Sequence, residues 1–317
     1  MVAARPRLAV TLGDPRGIGW EVVDKALRVP LEADIVLIGP ENLIERIQRH
    51  GGPTVRVVGV GPWAGEAGAT ASRERQHEAG LIAGRSVERA VSLVLAGEAD
   101  AVVTAPIDKG ALNAAGYDYP GLTELLAHLA GDVDVAMMLA GPGLRVVLVT
   151  THLALRDVPA AVTRERIVRV ATVTRAGLAR WFGLAAPRLA LCALNPHAGD
   201  GGLFGDEDDR VLAPAAREAG LAGPFPADTV FVRALKGEFD AVLVPAHDVG
   251  MTAIKVAAFG AAVNVTLGLP FPRTAPDHGT ALDIAGKGIA DAGSMRQALE
   301  VAASMAKHSP RPLSAAR

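Results

Sequence analysis

Aromatic side chains make up only 4% of this 317-residue chain, so its interior cannot be organised around large rings. Packing has to rest on Ala, Val and Leu in a composition that is half hydrophobic. There is a single cysteine, Cys192, which excludes an internal disulfide. It stands in the apolar run RLALCAL, where a buried, unreactive thiol fits, and a reducing compartment is expected. No stretch of about 18 uncharged apolar residues occurs, and MVAARPRLAVTLGDP leads straight into a strand-like run without the pattern of a secretory leader. The expectation is a cytoplasmic protein that does not engage membranes. Neither sign of charge is in excess: 32 Lys and Arg face 34 Asp and Glu, a net charge of -2. With pI near 6.5 and no basic stripe interleaved with aromatics, nucleic acid is not an expected partner. Also missing is the dinucleotide fingerprint G-x-G-x-x-G, since the glycines after the first strand lie at 13, 17 and 19.

What is present is an alternation of short apolar runs and amphipathic stretches, separated by many of the 35 glycines and 21 prolines. RLAVTL, ADIVLIGP and VRVVGV read as strands, with GDPRGIGWE opening a helix after the first and ENLIERIQRH a helix after the second. This rhythm predicts an α/β fold. Amides of the GDPRGIG loop are either an anion cradle or simply a tight turn. The G-x-G in GVGPWAGEAGATA is read as a decoy, because it leads into a long small-residue loop interrupted by Pro62. Further on, GLIAGRSVERAVSLVLAGEAD reads as a helix, AVVTAPIDKG as a strand running into a loop, and GLTELLAHLAG as a short helix. AMMLAG and RVVLVTTH read as two strands, followed by a long helix from TRERIVRV. Lys109 follows a strand at the edge where open α/β sheets place ligand contacts.

Three of the eight histidines share a position. His152, His197 and His247 each follow a predicted buried strand, in VTTH, LNPH and VPAH, and such strand ends lie side by side in a parallel sheet. Converging imidazoles suit zinc or another borderline divalent ion, and three protein ligands leave positions open for a substrate. Asp228 and Asp248 are candidates for fixing imidazole tautomers. Lys255 and Arg273, with Asn264 between them, suit a phosphate or carboxylate. Arg273, in LPFPRTAP, is expected to present its guanidinium from a stiff loop. The stretch DHGTALDIAGKG, with Asp277, His278 and Gly279 at its start, reads as a loop before a helix that approaches a nucleotide through glycine amides.

At these residues the chain resembles the 4-hydroxythreonine-4-phosphate dehydrogenases of vitamin B6 biosynthesis. The likeness runs through GDPRGIG, VVTAPIDKGALNAAG, TELLA, MML, TTHLALRDV, LNPHAGDGGLFGDE, PFPADTVF, HDVG and VNVTLGLPFPRTAPDHGTALDIAG. It implies that His152, His197 and His247 bind a divalent metal, zinc first and Mg or Co as alternatives, and that Thr123, Lys255, Asn264 and Arg273 bind a small, phosphorylated substrate. It further implies NAD or NADP, a cytoplasmic homodimer with a shared active site, and a two-domain α/β/α fold like that of isocitrate and isopropylmalate dehydrogenases with the active site in the interdomain cleft. The chain is divided accordingly into residues 1–125 plus 285–317 and residues 126–284. The chain departs from the family pattern at Leu122, where a substrate-binding histidine is usual, and at Val249 and Trp20, where glutamine and proline are usual.

The expected reaction is metal-assisted oxidation of a secondary alcohol by NAD or NADP, followed by loss of carbon dioxide from the β-keto acid, with 4-phosphohydroxy-L-threonine as substrate. The proton acceptor is left open between Lys109 and a metal-bound water, and Asp248 is carried as a second catalytic candidate. Within the same family, 4-phospho-D-threonate or erythronate and the cis-dihydrodiol of terephthalate are alternative substrates. A metal-dependent hydrolase using Asp248 or Asp228 as base, and a binding protein without turnover, are the readings from other classes.

Overall fold

The computed structural model describes residues 5–47, 55–68, 72–258 and 260–308. His50 and the expected frayed end of the tail after His308 lie outside the described residues. The chain forms two compact units, Met1–Val133 with Leu269–Arg317, and Asp134–Gly268. These boundaries differ from the 125/126 and 284/285 expected, and they place Arg273, Asp277, His278 and Gly279 in the first unit.

The first unit opens with β1 (Arg7–Thr11), α1 (Gly19–Leu27), β2 (Asp34–Gly39), α2 (Glu41–Ile44), β3 (Val55–Gly59), α3 (Arg73–Leu95), β4 (Ala101–Thr104), α4 (Lys109–Ala114) and α5 (Leu122–Leu129). β1 pairs in parallel with β2 and β4, and β2 with β3. Runs such as Leu8-Ala9-Val10 and Ile35-Val36-Leu37 are buried on both faces, the pattern of a covered parallel sheet. α3 begins where Ser72 accepts a hydrogen bond from the Arg75 amide, and it buries Ala79, Ile82, Ala83, Ser86, Val87 and Ala90 at helical spacing. The expected helix ENLIERIQRH is a single turn among the described residues. Its Asn42 side chain bonds the backbone of Trp63, and the chain turns at 45–47.

The second unit contains β5 (Ala136–Gly141), β6 (Leu144–Leu148), α6 (Val158–Ala161), α7 (Arg164–Phe182), β7 (Leu189–Cys192), α8 (Ala213–Ala219), β8 (Ala222–Phe225), α9 (Ala227–Leu235), β9 (Ala241–Val244), α10 (His247–Ala258) and β10 (Val263–Leu267). Its strand order is β10-β5-β6-β9-β7-β8. β10, β5 and β6 are antiparallel, whereas β6, β9, β7 and β8 are parallel. The β5–β6 hairpin turns on Pro142-Gly143, with φ +74 at the glycine, as a type II turn requires. The core joins Val146, Leu148, Val242, Val244 and Ile254, the last fully buried on the inner face of α10. Truncating Ile254 to Ala costs ~2–5 kcal/mol by the usual cavity rule.

The chain then returns to the first unit as β11 (Arg273–Pro276) and α11 (Gly293–His308). β11 pairs in parallel with β4, Arg273 opposite Val102, completing the order β3-β2-β1-β4-β11. Arg273 is therefore not on a loop. Pro272 ends the loop, its carbonyl accepts from the Val102 amide, and the arginine enters the sheet. The architecture is mixed α/β, as the alternating runs predict.

Candidate functional site

In the second unit, β6, β9 and β7 are parallel neighbours, so their C-terminal ends share one edge. His152 lies four residues beyond β6, His247 three beyond β9 and His197 five beyond β7. The first two exit loops are fastened together: the Val149 amide donates to the Val244 carbonyl at 2.9 Å, and the buried Thr150 hydroxyl donates to the Pro245 carbonyl at 2.5 Å. The rings of His152 and His247 consequently lie with centroids 5.4 Å apart. Nδ1 of His247 is 2.7 Å from Asp248 Oδ1. An ionised carboxylate only accepts, so it selects the tautomer with the proton on Nδ1 and leaves the Nε2 lone pair as the ligating position. Asp248 thus orients His247.

The third exit loop is held by Asp208, 1% exposed, whose two carboxylate oxygens accept from the amides of Leu194 (2.8 Å) and Asn195 (3.0 Å). Asn195 also donates its side-chain amide to Glu207. Beyond this anchor His197, Ala198 and Asp200 adopt left-handed backbone conformations, with φ of 54, 57 and 45 degrees. Such residues cost about 1 kcal/mol or more each and cluster where a side chain must be aimed. The His197 ring packs beside Phe204, centroids 6.2 Å apart. Among the described residues no three imidazole, thiol or carboxylate groups converge closely enough to hold an ion. The structure thus brings His152 and His247 together and leaves His197 on the same strand edge with its ring turned against Phe204. As a donor set, three histidines from adjacent loops, one with its tautomer fixed, suit a borderline divalent cation.

Lys255 stands exposed on α10, two turns beyond His247. Asn264 is half-buried in β10, and its Oδ1 is buried with no hydrogen-bond partner among the described residues. An unsatisfied buried acceptor costs ~1–3 kcal/mol, which a ligand donor relieves. Asp228 is exposed in the first turn of α9.

In the first unit the GDPRGIG loop is a tight turn. The Asp14 amide donates to Pro106, Arg16 to the Asp14 carboxylate, Gly17 to Asp14 and Ile18 to Thr280, so these amides are not available to an anion. A Cβ on Gly13 would stand 2.2 Å from the Pro106 carbonyl oxygen, which explains that glycine. The loop's charges matter more. Arg16, 4% exposed, forms a bidentate pair with the fully buried Asp14 at 3.0 and 2.6 Å and reaches Asp108 at 3.3 Å. These carboxylates, the hydrogen bond from Asp14 foremost, raise the Arg16 pKa above its ordinary value. Asp108 in turn caps α4 by accepting from the Ala111 amide at 2.7 Å, fixing where the helix starts and hence where Lys109 leaves it. The Lys109 ammonium and Glu124 carboxylate both lie over Gly121, at the N-terminus of α5, whose first turn carries Leu122 and Thr123.

Arg273 is buried and donates to the Thr104 hydroxyl at 2.6 Å; burial lowers its pKa to about 10. A desolvated guanidinium is a strong receptor for a phosphate that follows it into the site. In the 277–288 loop, the Gly286 and Gly288 amides donate to the Glu21 carboxylate, so those glycines serve the fold. The Asp277 amide donates to the Ser294 hydroxyl oxygen, Gly279 is open, and His278 keeps Nε2 buried without a partner among the described residues. The sequence reading missed Asp14, Arg16, Asp108 and Asp208. Their only signal was a charged residue in or beside a glycine-containing turn, which ordinary caps and surface charges share. Cys192 is buried as expected, and burial pushes its thiol up to about 12.

A family model described as "Pyridoxal phosphate biosynthetic protein PdxA" matches residues 71–302. The chain is 44% identical over 333 residues to the 4-hydroxythreonine-4-phosphate dehydrogenase of Geobacter metallireducens, covering 97% of each protein. The crystal structure of the 4-hydroxythreonine-4-phosphate dehydrogenase from Klebsiella pneumoniae superposes with a TM-score of 0.84 at 38% identity, over 95% of this chain and 99% of that one. A terephthalate 1,2-cis-dihydrodiol dehydrogenase from Burkholderia xenovorans matches with a TM-score of 0.64 at 28% identity, over 94% and 98% of the two chains.

Proposed function

The chain belongs to the PdxA family of pyridoxal phosphate biosynthetic proteins, and we propose that it oxidises 4-phosphohydroxy-L-threonine with NAD or NADP on a divalent metal, zinc first. The observation that carries this reading is the pairing of His152 with His247 at one strand edge, with His197 on the neighbouring loop. In this reading the three imidazoles hold the cation, with the His197 ring rotated away from Phe204. A bound cation supplies positive charge beside the substrate hydroxyl and the nicotinamide accepts the hydride.

The chain's own residues do the rest. Arg273 and Lys255 hold the anionic ends of the substrate, Thr123 donates to them from the first turn of α5, and Asn264 accepts a substrate hydroxyl through its unsatisfied Oδ1. Fixing those ends sets the distance over which hydride moves. Asp248 keeps the Nδ1 proton on His247. Lys109, fixed by the capped start of α4, is the candidate to take the hydroxyl proton as the carbinol C–H electrons leave as hydride. The resulting β-keto acid loses carbon dioxide, its electrons passing to the neighbouring carbonyl. The homodimer with a shared site and the Asp277-His278-Gly279 cofactor contact belong to the same proposal.

A second substrate class is favoured by one residue. Leu122 opens α5 where a donor is usual, and an apolar side chain cannot hydrogen-bond a phosphate, so a non-phosphorylated cis-diol acid of the terephthalate dihydrodiol type is the rival. Purified protein with zinc, NAD or NADP, and each substrate in turn decides between them. Growth of absorbance of the reduced nicotinamide with the phosphorylated hydroxythreonine alone supports the first reading, with the diol alone the second. Product formed without nucleotide reduction contradicts both.

A further inference from the structure

β4 lies between β1 and β11 and pairs in parallel with both, so residues in register turn their side chains to the same face of the sheet. Thr11 stands opposite Thr104, and Arg273 opposite Val102, which puts the side chains of Thr11, Thr104 and Arg273 on one face. The next residue of β11, Thr274, points the other way and donates its hydroxyl to the Ala298 carbonyl of α11. Arg273 starts level with Val102, yet its Nη2 donates to the Thr104 hydroxyl at 2.6 Å. Thr104 lies two residues, about 6.6 Å, nearer the C-terminal end of the sheet. The guanidinium therefore runs along the strands to the edge where open α/β sheets place their ligand contacts.

A threonine suits the task of holding it there for two reasons. Its β-branch restricts χ1, so the backbone sets the direction of the hydroxyl. The hydroxyl is also uncharged, so this contact orients the guanidinium without neutralising it, whereas Arg16 is paired with the carboxylates of Asp14 and Asp108. Thr11 supplies the contrast: it stands at the same level on the neighbouring strand and is just as buried, but its hydroxyl oxygen has no hydrogen-bond partner among the described residues. We infer that Thr104 is a positioning residue whose hydroxyl aims Arg273 at the anionic end of the substrate, so that its loss weakens substrate binding without slowing the chemistry. This rests on the reading of Arg273 as the anion receptor given above.

The test combines steady-state kinetics of the whole protein, using zinc, NAD or NADP and phosphorylated 4-hydroxythreonine, with crystal structures of the variants. Thr104→Val, nearly the same in shape, should raise the substrate KM about tenfold and leave kcat within about twofold. Thr104→Ser keeps the hydroxyl and should recover most of that loss. Thr11→Val should change neither constant. In an Arg273→Met background, Thr104→Val should add nothing further, because both changes remove the same interaction. Crystals of Thr104→Val should show the guanidinium displaced from the end of β4. An unchanged KM in Thr104→Val, an equal loss in Thr11→Val, no recovery with serine, or an Arg273 side chain that stays in place overturns the inference. The two readings fail separately. A displaced guanidinium with weakened binding of inorganic phosphate, in a protein that turns over no hydroxy acid, keeps the role of Thr104 and sinks the dehydrogenase. Turnover whose substrate KM rises in Arg273→Met but ignores Thr104→Val does the opposite.

Discussion

In the first unit the charged side chains of the candidate site are inside the fold: Asp14 is fully buried, Arg16 is 4% exposed and Arg273 3%. In the second unit His152, His197, Asp248 and Lys255 stand at the surface of their loops and helix. The first arrangement fixes charge in place at a desolvation cost, offset by pairing for Arg16 and visible in the lowered pKa of Arg273. The second leaves lone pairs accessible and places its strain in the backbone, at His197, Ala198 and Asp200. One unit is suited to receive a fixed anion, the other to assemble around a ligand that arrives.

Four substitutions and one chemical probe sharpen or break this contrast. His247→Ala should lower kcat/KM by roughly a thousandfold, about 4 kcal/mol, with zinc content falling in parallel and Tm nearly unchanged because the residue is only half-buried. Asp14→Ala should do the reverse kind of damage: the buried Arg16 guanidinium keeps only Asp108, 3.3 Å away at a partly exposed position, and losing its bidentate partner costs up to ~3–5 kcal/mol, read as a loss of denaturation midpoint. Arg273→Met should raise the KM for a phosphorylated substrate about a hundredfold, with a change in stability within about 1 kcal/mol since the burial penalty on the cation disappears.

The pH dependence of Arg273 carries its own sign. With its folded-state pKa lowered to about 10, the unfolded chain binds the extra proton above that pH, so this residue's contribution to stability rises between about pH 10 and its ordinary value. Substrate affinity should fall over the same rise in pH, because the guanidinium loses its charge. A KM that stays flat through pH 10 separates Arg273 from anion binding. Asp248→Asn should lower zinc affinity only ~10- to 100-fold, since it orients His247 without ligating. The smallest effect is none at all: Cys192, pushed up to about 12 by burial, should resist thiol reagents at pH 8 in the native protein and react once it is unfolded.

The α/β class was legible because β1, β2, β4, β7 and β9 are short apolar runs between glycine-rich turns, a pattern with one economical solution. The histidine ends of β6, β7 and β9 were legible for the same reason: a strand's end locates whatever follows it. Arg273 misled, because prolines on both sides describe local stiffness, and only the pairing of β11 with β4 reveals a buried strand. The GDPRGIG loop reads equally as an anion cradle or a tight turn, and Gly286 and Gly288 as candidate ligand contacts. What decides is that the loop's amides go to the Pro106, Asp14 and Thr280 carbonyls and the Asp14 carboxylate, and those two glycines to Glu21, partners mostly distant in sequence that spacing does not reveal.

The central claim is that the loops after β6, β9 and β7 gather three imidazoles on one cation. Anomalous diffraction from crystals grown with zinc measures it directly. The account predicts one strong peak about 2.0–2.1 Å from a ring nitrogen of each of His152, His197 and His247, with the His197 ring turned off Phe204. A peak held by His152 and His247 alone, or none at this edge, contradicts it.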